Sequence, residues 1–232
     1  MIGADIRALL ARSELFRGLP DAATDRAIKA ASLQTAVAGT ALFHQGDPPE
    51  HLMVVGKGLV RMWRVNGKGD SSTIRLMAPG NAIGCVAVFR QTPYPATATA
   101  VIDSLLLSWP AAWIREATEQ SPAMRANSLD MIGQRAEELV RRLHETATER
   151  VEQRIARALL RLAAQAGHAF EGGTRITHRL SRQDIAEIVD TDLYVVSRVL
   201  RRWAGQHIVR ADRLCIVLPD QARLERIAAG AA

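Results

Sequence analysis

Cysteine is scarce in this 232-residue chain, which carries only Cys85 and Cys215. Two thiolates are too few for a four-cysteine zinc site or for an iron–sulfur cluster held by this chain alone. Nowhere do about 18 apolar residues run together, as a membrane-spanning helix requires. The N-terminal MIGADIRALLARSELF is amphipathic and charged, without the apolar core of a signal peptide. These lacks predict a cytoplasmic protein with no membrane partner, in which a disulfide is disfavoured. Enzyme signatures are missing as well. No GxxxxGK[ST] loop, GxGxxG fingerprint, HExxH helix or GxSxG elbow occurs, and the Gly-Lys pairs at 56–57 and 67–68 fall in expected hairpin turns. Catalysis is not expected.

What the chain does contain is 48% hydrophobic and 23% charged residues, the balance of a globular protein, with a net charge of +6 that favours a polyanionic partner. Helical periodicity runs through residues 2–31 in two pieces, broken at Gly18-Leu19-Pro20, with Asp21 placed to cap the second. From Leu33 to Trp109 short apolar runs alternate with turn signals such as Gly46-Asp47-Pro48-Pro49 and Pro79-Gly80. Asn66-Gly67 between MWRV and STIRLM is a hairpin signal, because both central residues must accept positive φ. Regular turns of this kind predict an antiparallel barrel or roll.

After Pro110 the helical pattern returns. Leu129, Ile132, Ala136, Leu139 and Leu143 are spaced three, four, three and four residues apart, with Arg and Glu among the intervening positions. This a/d seam of about two heptads is narrower than the face a helix buries in its own core, so it predicts self-association. Thr146 followed by Glu149 reads as a capping box that starts a new helix near Ala147, with Val151, Ile155, Leu159 and Leu162 on its apolar face. From Glu149 to Ala232 there are 14 Arg and 10 Asp or Glu, so most of the excess positive charge lies in this smaller portion.

Within it stands RQDIAEIVDTDLYVVSRVLRRW, residues 182–203. Gln183–Val189 reads as a short helix, Asp190-Thr191 as a turn and Asp192–Trp203 as a second helix. Ala186 is small where the two would cross, and Val196 is apolar where the second packs back. This is a helix-turn-helix pattern. Thr174–Leu180 before it resembles a strand, and His207–Arg210 then Arg213–Leu218 around Ala211-Asp212 resemble a hairpin after it, which would be a wing. Val196, Val199, Leu200 and Trp203 supply the packed face, leaving Tyr194, Ser197, Arg198, Arg201 and Arg202 for solvent or DNA.

On these residues the chain resembles the CRP/FNR family of bacterial transcription regulators, whose members carry Ser/Gly-Arg-Val/Ile-Leu where this sequence has VVSRVLRR. The resemblance implies an α+β fold: an N-terminal β-roll of the cyclic-nucleotide-binding type with its preceding helices over 1–118, a dimerisation helix over 119–145, and a C-terminal winged helix-turn-helix over 146–232. It also implies a homodimer on a near-palindromic double-stranded operator, two recognition helices in successive major grooves, and RNA polymerase as a further partner. Arg198 matches the family arginine that reads a guanine edge, and Ser197 and Tyr194 join it as base contacts. Gln183, Thr191, Arg201, Arg202 and the wing residue Arg213 are the expected phosphate contacts. Leu193, Tyr194 and Val195 stand where many members have Arg-Glu-Thr, so the glutamate that accepts from base amino groups is missing.

Gly80–Val101 corresponds to the family's phosphate-binding cassette, expected as strand, loop and strand. Cyclic-nucleotide members hold the ribose with the Glu of Gly-Glu and the phosphate with the Arg of Arg-Thr. Here Cys85 follows Gly84, and Ala96-Thr97 replaces Arg-Thr. A buried phosphate without a countercharge is unfavourable, so no cyclic nucleotide is expected. Residues 1–32 hold no cysteine, so the iron–sulfur cluster of oxygen-sensing members is not expected either. GCVAVF followed by YPATATA is similar to the nitric-oxide-responsive NnrR/DNR branch associated with denitrification genes, and that resemblance implies haem. Cys85, Tyr94, Ala96 and Thr97 are the effector-pocket candidates. No motif among the six scattered histidines identifies an axial ligand, and any metal site is left unassigned.

Overall fold

The computed structural model describes residues 3–65, 71–176, 181–189, 191–212 and 215–230, in two compact units. The class is α+β. The chain starts with α1 (Gly3–Ala11) and α2 (Asp21–Ala30) and continues with the strands β1 (Ser32–Ala36), β2 (Ala41–Phe43), β3 (His51–Lys57), β4 (Val60–Val65), β5 (Ser71–Met77) and β6 (Ala82–Ile83). A short helix α3 (Cys85–Arg90) then leads to β7 (Thr97–Ala100) and β8 (Ser104–Pro110). They make two four-stranded sheets, ordered β1-β8-β3-β6 and β2-β7-β4-β5. β4 and β5 are neighbours, as the hairpin signal predicts, while the turn at 66–70 lies outside the described residues.

The run HLMVV in β3 is apolar without alternation because both of its faces are covered. Met53 and Val55 point into the roll with Phe43, Tyr94, Ala98 and Leu106. Leu52 and Val54 point the other way, joining Leu107 and Trp109 of β8 under a cap of helices. That second cluster takes Leu9, Leu10, Leu15 and Phe16 from the N-terminal segment and Met124 and Met131 from α5 (Pro122–Thr148). Trp109 is buried there, its indole N–H donating to Ala27 O at 2.7 Å, so its one polar atom is satisfied.

Between β8 and α5 lies α4 (Ala111–Gln120), and α5 itself is one helix of 27 residues. The second unit contains α6 (Val151–Ala166), β9 (Gly167–Phe170), β10 (Gly173–Ile176), α7 (Arg182–Ile188), α8 (Leu193–Gly205), β11 (Arg210–Asp212), β12 (Cys215–Leu218) and α9 (Gln221–Ala228). Its sheet runs β11-β12-β10-β9, and α9 packs on α6. Gly173, at φ +133°, opens β10 where a Cβ would lie 2.1 Å from Leu218 O, so only glycine lets β10 meet the end of β12. Among the described residues no helix is long and apolar enough to cross a membrane.

Four local expectations are corrected. Pro20 is the N-cap of α2 and makes no side-chain bond, so Asp21 is its first helical residue rather than its cap. The segment after Gly84 is helical, not extended, because Cys85, Val88 and Phe89 recur at helical spacing and pack into one cluster. Thr146 lies inside α5, and the break comes at 149–150: α6 starts at Val151, where Gln153 accepts the Arg150 backbone N–H at 2.9 Å. Ala211 and Asp212 belong to β11, paired with Ile216 and Cys215, so they are strand residues rather than the turn of the hairpin, and residues 213–214 lie outside the described residues. Asp190, His178 and the rest of 177–180 lie outside them as well.

Candidate nucleic-acid interface and sensor region

Two caps set the geometry of α7 and α8. The Ser181 hydroxyl accepts from Asp184 N at 3.1 Å while Asp184 accepts from Ser181 N at 2.8 Å, which satisfies two of the backbone donors a helix start leaves free. Asp192 caps α8 by accepting from Tyr194 N at 2.6 Å. Ala186 and Val196 are both buried, and α8 turns Val196, Val199, Leu200 and Trp203 inward.

The opposite stripe is Tyr194, Ser197, Arg198 and Arg201, spaced as one helix face. Tyr194 is 82% exposed. Arg198 and Arg201 are exposed and make no ion pair with another described residue. Arg202 is different: its guanidinium pairs with Glu152 of α6 at 2.5 Å. Thr191 is half-buried just before the cap, and Gln183 lies exposed on α7, donating to Glu187 at 3.2 Å. Arg213 falls outside the described residues.

The four effector-pocket candidates do not converge on one cavity. Tyr94 alone lines a space of about 240 Å³, shared with Phe43, Asp47, Glu50, His51 and Met53. Its ring stacks on Phe43 at 3.8 Å between centroids, and its hydroxyl donates to His51 O at 2.6 Å. Burial pushes the phenol up from its ordinary value of 10.0, the His51 bond opposing. Gly84, at φ +84°, turns the chain beneath this ring, where a Cβ would come within 3.0 Å of it. Ala96 is buried, and the Thr97 hydroxyl, also buried, accepts from Gln45 N at 3.0 Å.

Cys85 faces another way. It is 1% exposed and receives a hydrogen bond from Arg135 Nη1 of α5. The other guanidinium nitrogen donates to Ala82 O at 2.7 Å and to Glu14 at 3.1 Å. Glu14 also accepts from Asn81 Nδ2 at 3.0 Å and Ala82 N at 3.1 Å. Arg75 extends the array to Glu14 at 3.6 Å and to Glu138 of α5 at 3.4 Å. Burial pushes the Cys85 thiol up, the Arg135 charge opposing. Sequence reasoning missed this array, since Glu14, Arg75 and Arg135 each read as a solvated charge and are far apart along the chain. Among the described residues no group of three or more His, Cys, Asp or Glu is gathered as for a metal ion.

On α5, the seam residues Leu129, Ile132, Ala136, Leu139 and Leu143 are all exposed, Leu129 at 72% and Leu139 at 58%.

Residues 33–121 match the cyclic nucleotide-binding domain family, and residues 153–227 match the Crp-like helix-turn-helix domain family. The chain is 24% identical over 218 residues to a CRP-like cAMP-activated global transcriptional regulator of Mycobacterium tuberculosis, covering 94% of this chain and 97% of that protein. It is 28% identical over 220 residues to the cyclic AMP receptor protein of Thermus thermophilus, covering 95% and 99%. A solved CRP/FNR family transcriptional regulator from Thermus thermophilus superposes with a TM-score of 0.73 at 26% identity, over 87% of this chain and 100% of that one.

Proposed function

Because the chain belongs to the CRP/FNR family of DNA-binding transcription regulators, we propose that it works as a cytoplasmic homodimer on a near-palindromic operator, reading sequence through α8 and presenting its surface to RNA polymerase. The observation that carries this reading is the exposed guanidinium of Arg198, which makes no ion pair with another described residue, on one face of α8 with the exposed Tyr194 and the half-buried Ser197. An arginine so held can donate bidentately to guanine, a contact worth about 1–3 kcal/mol of discrimination. Gln183, Thr191, Arg201, Arg202 and Arg213 supply backbone contacts, with Arg202 exchanging its Glu152 partner for phosphate. The exposed apolar seam of α5 joins the protomers. The test is a titration of operator and scrambled DNA at fixed salt: Arg198→Ala abolishes the preference for operator, and equal losses on both sequences contradict the assignment.

The signal is not a cyclic nucleotide. Supporting this, Cys85, Ala96 and Thr97 occupy buried positions and bring no charge for ribose or phosphate. Nitric oxide, acting on denitrification genes, is the reading supported by the resemblance of GCVAVF and YPATATA. Haem does not fit the cavity beside Tyr94, whose roughly 240 Å³ is lined by the carboxylates Asp47 and Glu50, which would oppose propionates. A ligand-independent regulator, its roll serving as scaffold, is favoured by a different observation: Arg135 already ties α5 to Ala82, Glu14 and Cys85 without any small molecule. Anaerobic purification after expression with haem supply, a visible spectrum, and DNA titrations with and without nitric oxide separate the two. A haem band or a nitric-oxide-dependent Kd supports sensing, and tight, indifferent binding supports the scaffold.

A further inference from the structure

A second basic feature, apart from the α8 stripe, lies in the second unit. A cleft of about 650 Å³ opens among the start of α6, the C-terminal half of α8 and α9. Four arginines line it, Arg150, Arg202, Arg223 and Arg226, against the single carboxylate of Glu152. Glu152 is taken by Arg202, and Arg150, Arg223 and Arg226 make no ion pair with another described residue. Three guanidiniums facing one concavity repel one another unless an anion enters. Trp203 closes the cleft from within, its ring buried in the core, so the walls are fixed by packing rather than by the arginines themselves.

We infer that this cleft is a binding site for a small polyphosphate anion. Guanidinium is the group suited to this class, since its fork of N–H donors matches phosphate oxygens bidentately and keeps its charge at every physiological pH. The excess of positive lining charge requires a ligand with several negative charges, which a chain of two or three phosphates carries and a lone carboxylate does not. Size and shape favour a small molecule over a duplex backbone: the cleft falls within the range of small-ligand sites, and its concavity brings arginines from the N-cap of α6, from α8 and from α9 around one anion. Arg202 links the site to DNA, standing four residues after Arg198 on α8, so an anion competing with Glu152 for Arg202 acts on the recognition helix directly.

The test is calorimetric titration of the full chain with tripolyphosphate at constant ionic strength, with sulfate as the control anion. Saturable binding of tripolyphosphate, much tighter than of sulfate, is the expected result. The double variant R223Q/R226Q should bind it about a hundred-fold more weakly, roughly ten-fold for each lost charge-assisted contact, while Arg198→Ala binds it normally. Arg150→Gln, at the N-cap of α6, provides an independent loss should the α9 variant prove unstable by thermal melting. No saturable binding by the wild type overturns the site. So does an unchanged affinity in both cleft variants, which locates the anion elsewhere. A cleft variant that loses operator affinity but keeps tripolyphosphate overturns it too, and assigns the arginines to flanking DNA phosphates. Because the titration contains no DNA, its outcome is independent of whether α8 reads an operator.

Discussion

Arg135 Nη2 of α5 donates to Ala82 O at 2.7 Å, in the short strand β6 that precedes α3. The same guanidinium reaches Cys85 and Glu14, so one side chain joins the long helix to β6, to α3 and to the N-terminal segment. Arg135→Met keeps much of the stem volume and removes every donor. Because the arginine is partly exposed, solvent replaces some of what is lost, and a cost of about 2 kcal/mol is expected. The urea midpoint measures it. A double-mutant cycle with Glu14→Gln should return a coupling of about 1 kcal/mol, and additivity would show that the pair is not an energetic unit.

Cys85 gives a pH signature with a definite sign. Burial raises its folded value above the ordinary 9.0, so above pH 9 the unfolded chain releases a proton that the folded chain keeps. Its contribution to stability is complete below pH 9 and is lost as pH rises through the folded value. At pH 8, Cys85→Ala is less stable than wild type by about 1 kcal/mol from lost packing. The gap should narrow in melts at pH 10, where Tyr94 weighs on both proteins alike. A thiol reagent applied to the native protein should modify the part-exposed Cys215 well before Cys85.

These residues mark where the sequence stopped being legible. The roll, the long helix and the helix-turn-helix are written in period and punctuation: turn signals between short runs, a 3-4-3-4 seam, two capped helices with Ala186 and Val196 at their crossing. Period also explains the errors. Gly80–Val101 is expected as strand, loop and strand from the family's cassette, whereas Cys85, Val88 and Phe89 pack at helical spacing. The Thr146–Glu149 pair has the form of a capping box, yet α5 runs through it. The Glu14–Arg135 array and the arginine cleft were illegible for another reason, since each gathers charges from distant segments that individually resemble a solvated surface.

Arg201 is exposed one turn beyond Ser197 and makes no ion pair with another described residue, and the role proposed for it is backbone contact. A phosphate contact carries no base information, so Arg201→Ala should weaken operator and scrambled DNA by the same factor. Each phosphate neutralised contributes about 0.9 to the slope of log K against log salt, so the slope should fall by about that amount per protomer. Affinity measured at four salt concentrations on both sequences checks this.

On the proposed reading, the seam of α5 joins two protomers and so sets how many α8 helices reach the DNA together. Leu129, Leu139 and Leu143 leave apolar surface in water that no segment of this chain covers among the described residues, and their 3-4-3-4 spacing suits the same face of a second copy. A glutamate at position 139 would put two like charges in desolvated surroundings across such a seam, so Leu139→Glu should sediment as a monomer at micromolar concentration. Its fold should persist, because the side chain is 58% exposed in the single chain. Operator binding should then fall by about 100-fold or more, since the second half-site contact is no longer tethered to the first. Scrambled DNA should lose less, as single phosphate contacts survive in the monomer. A variant that stays dimeric by sedimentation, or keeps full operator affinity as a monomer, would remove the seam from the mechanism.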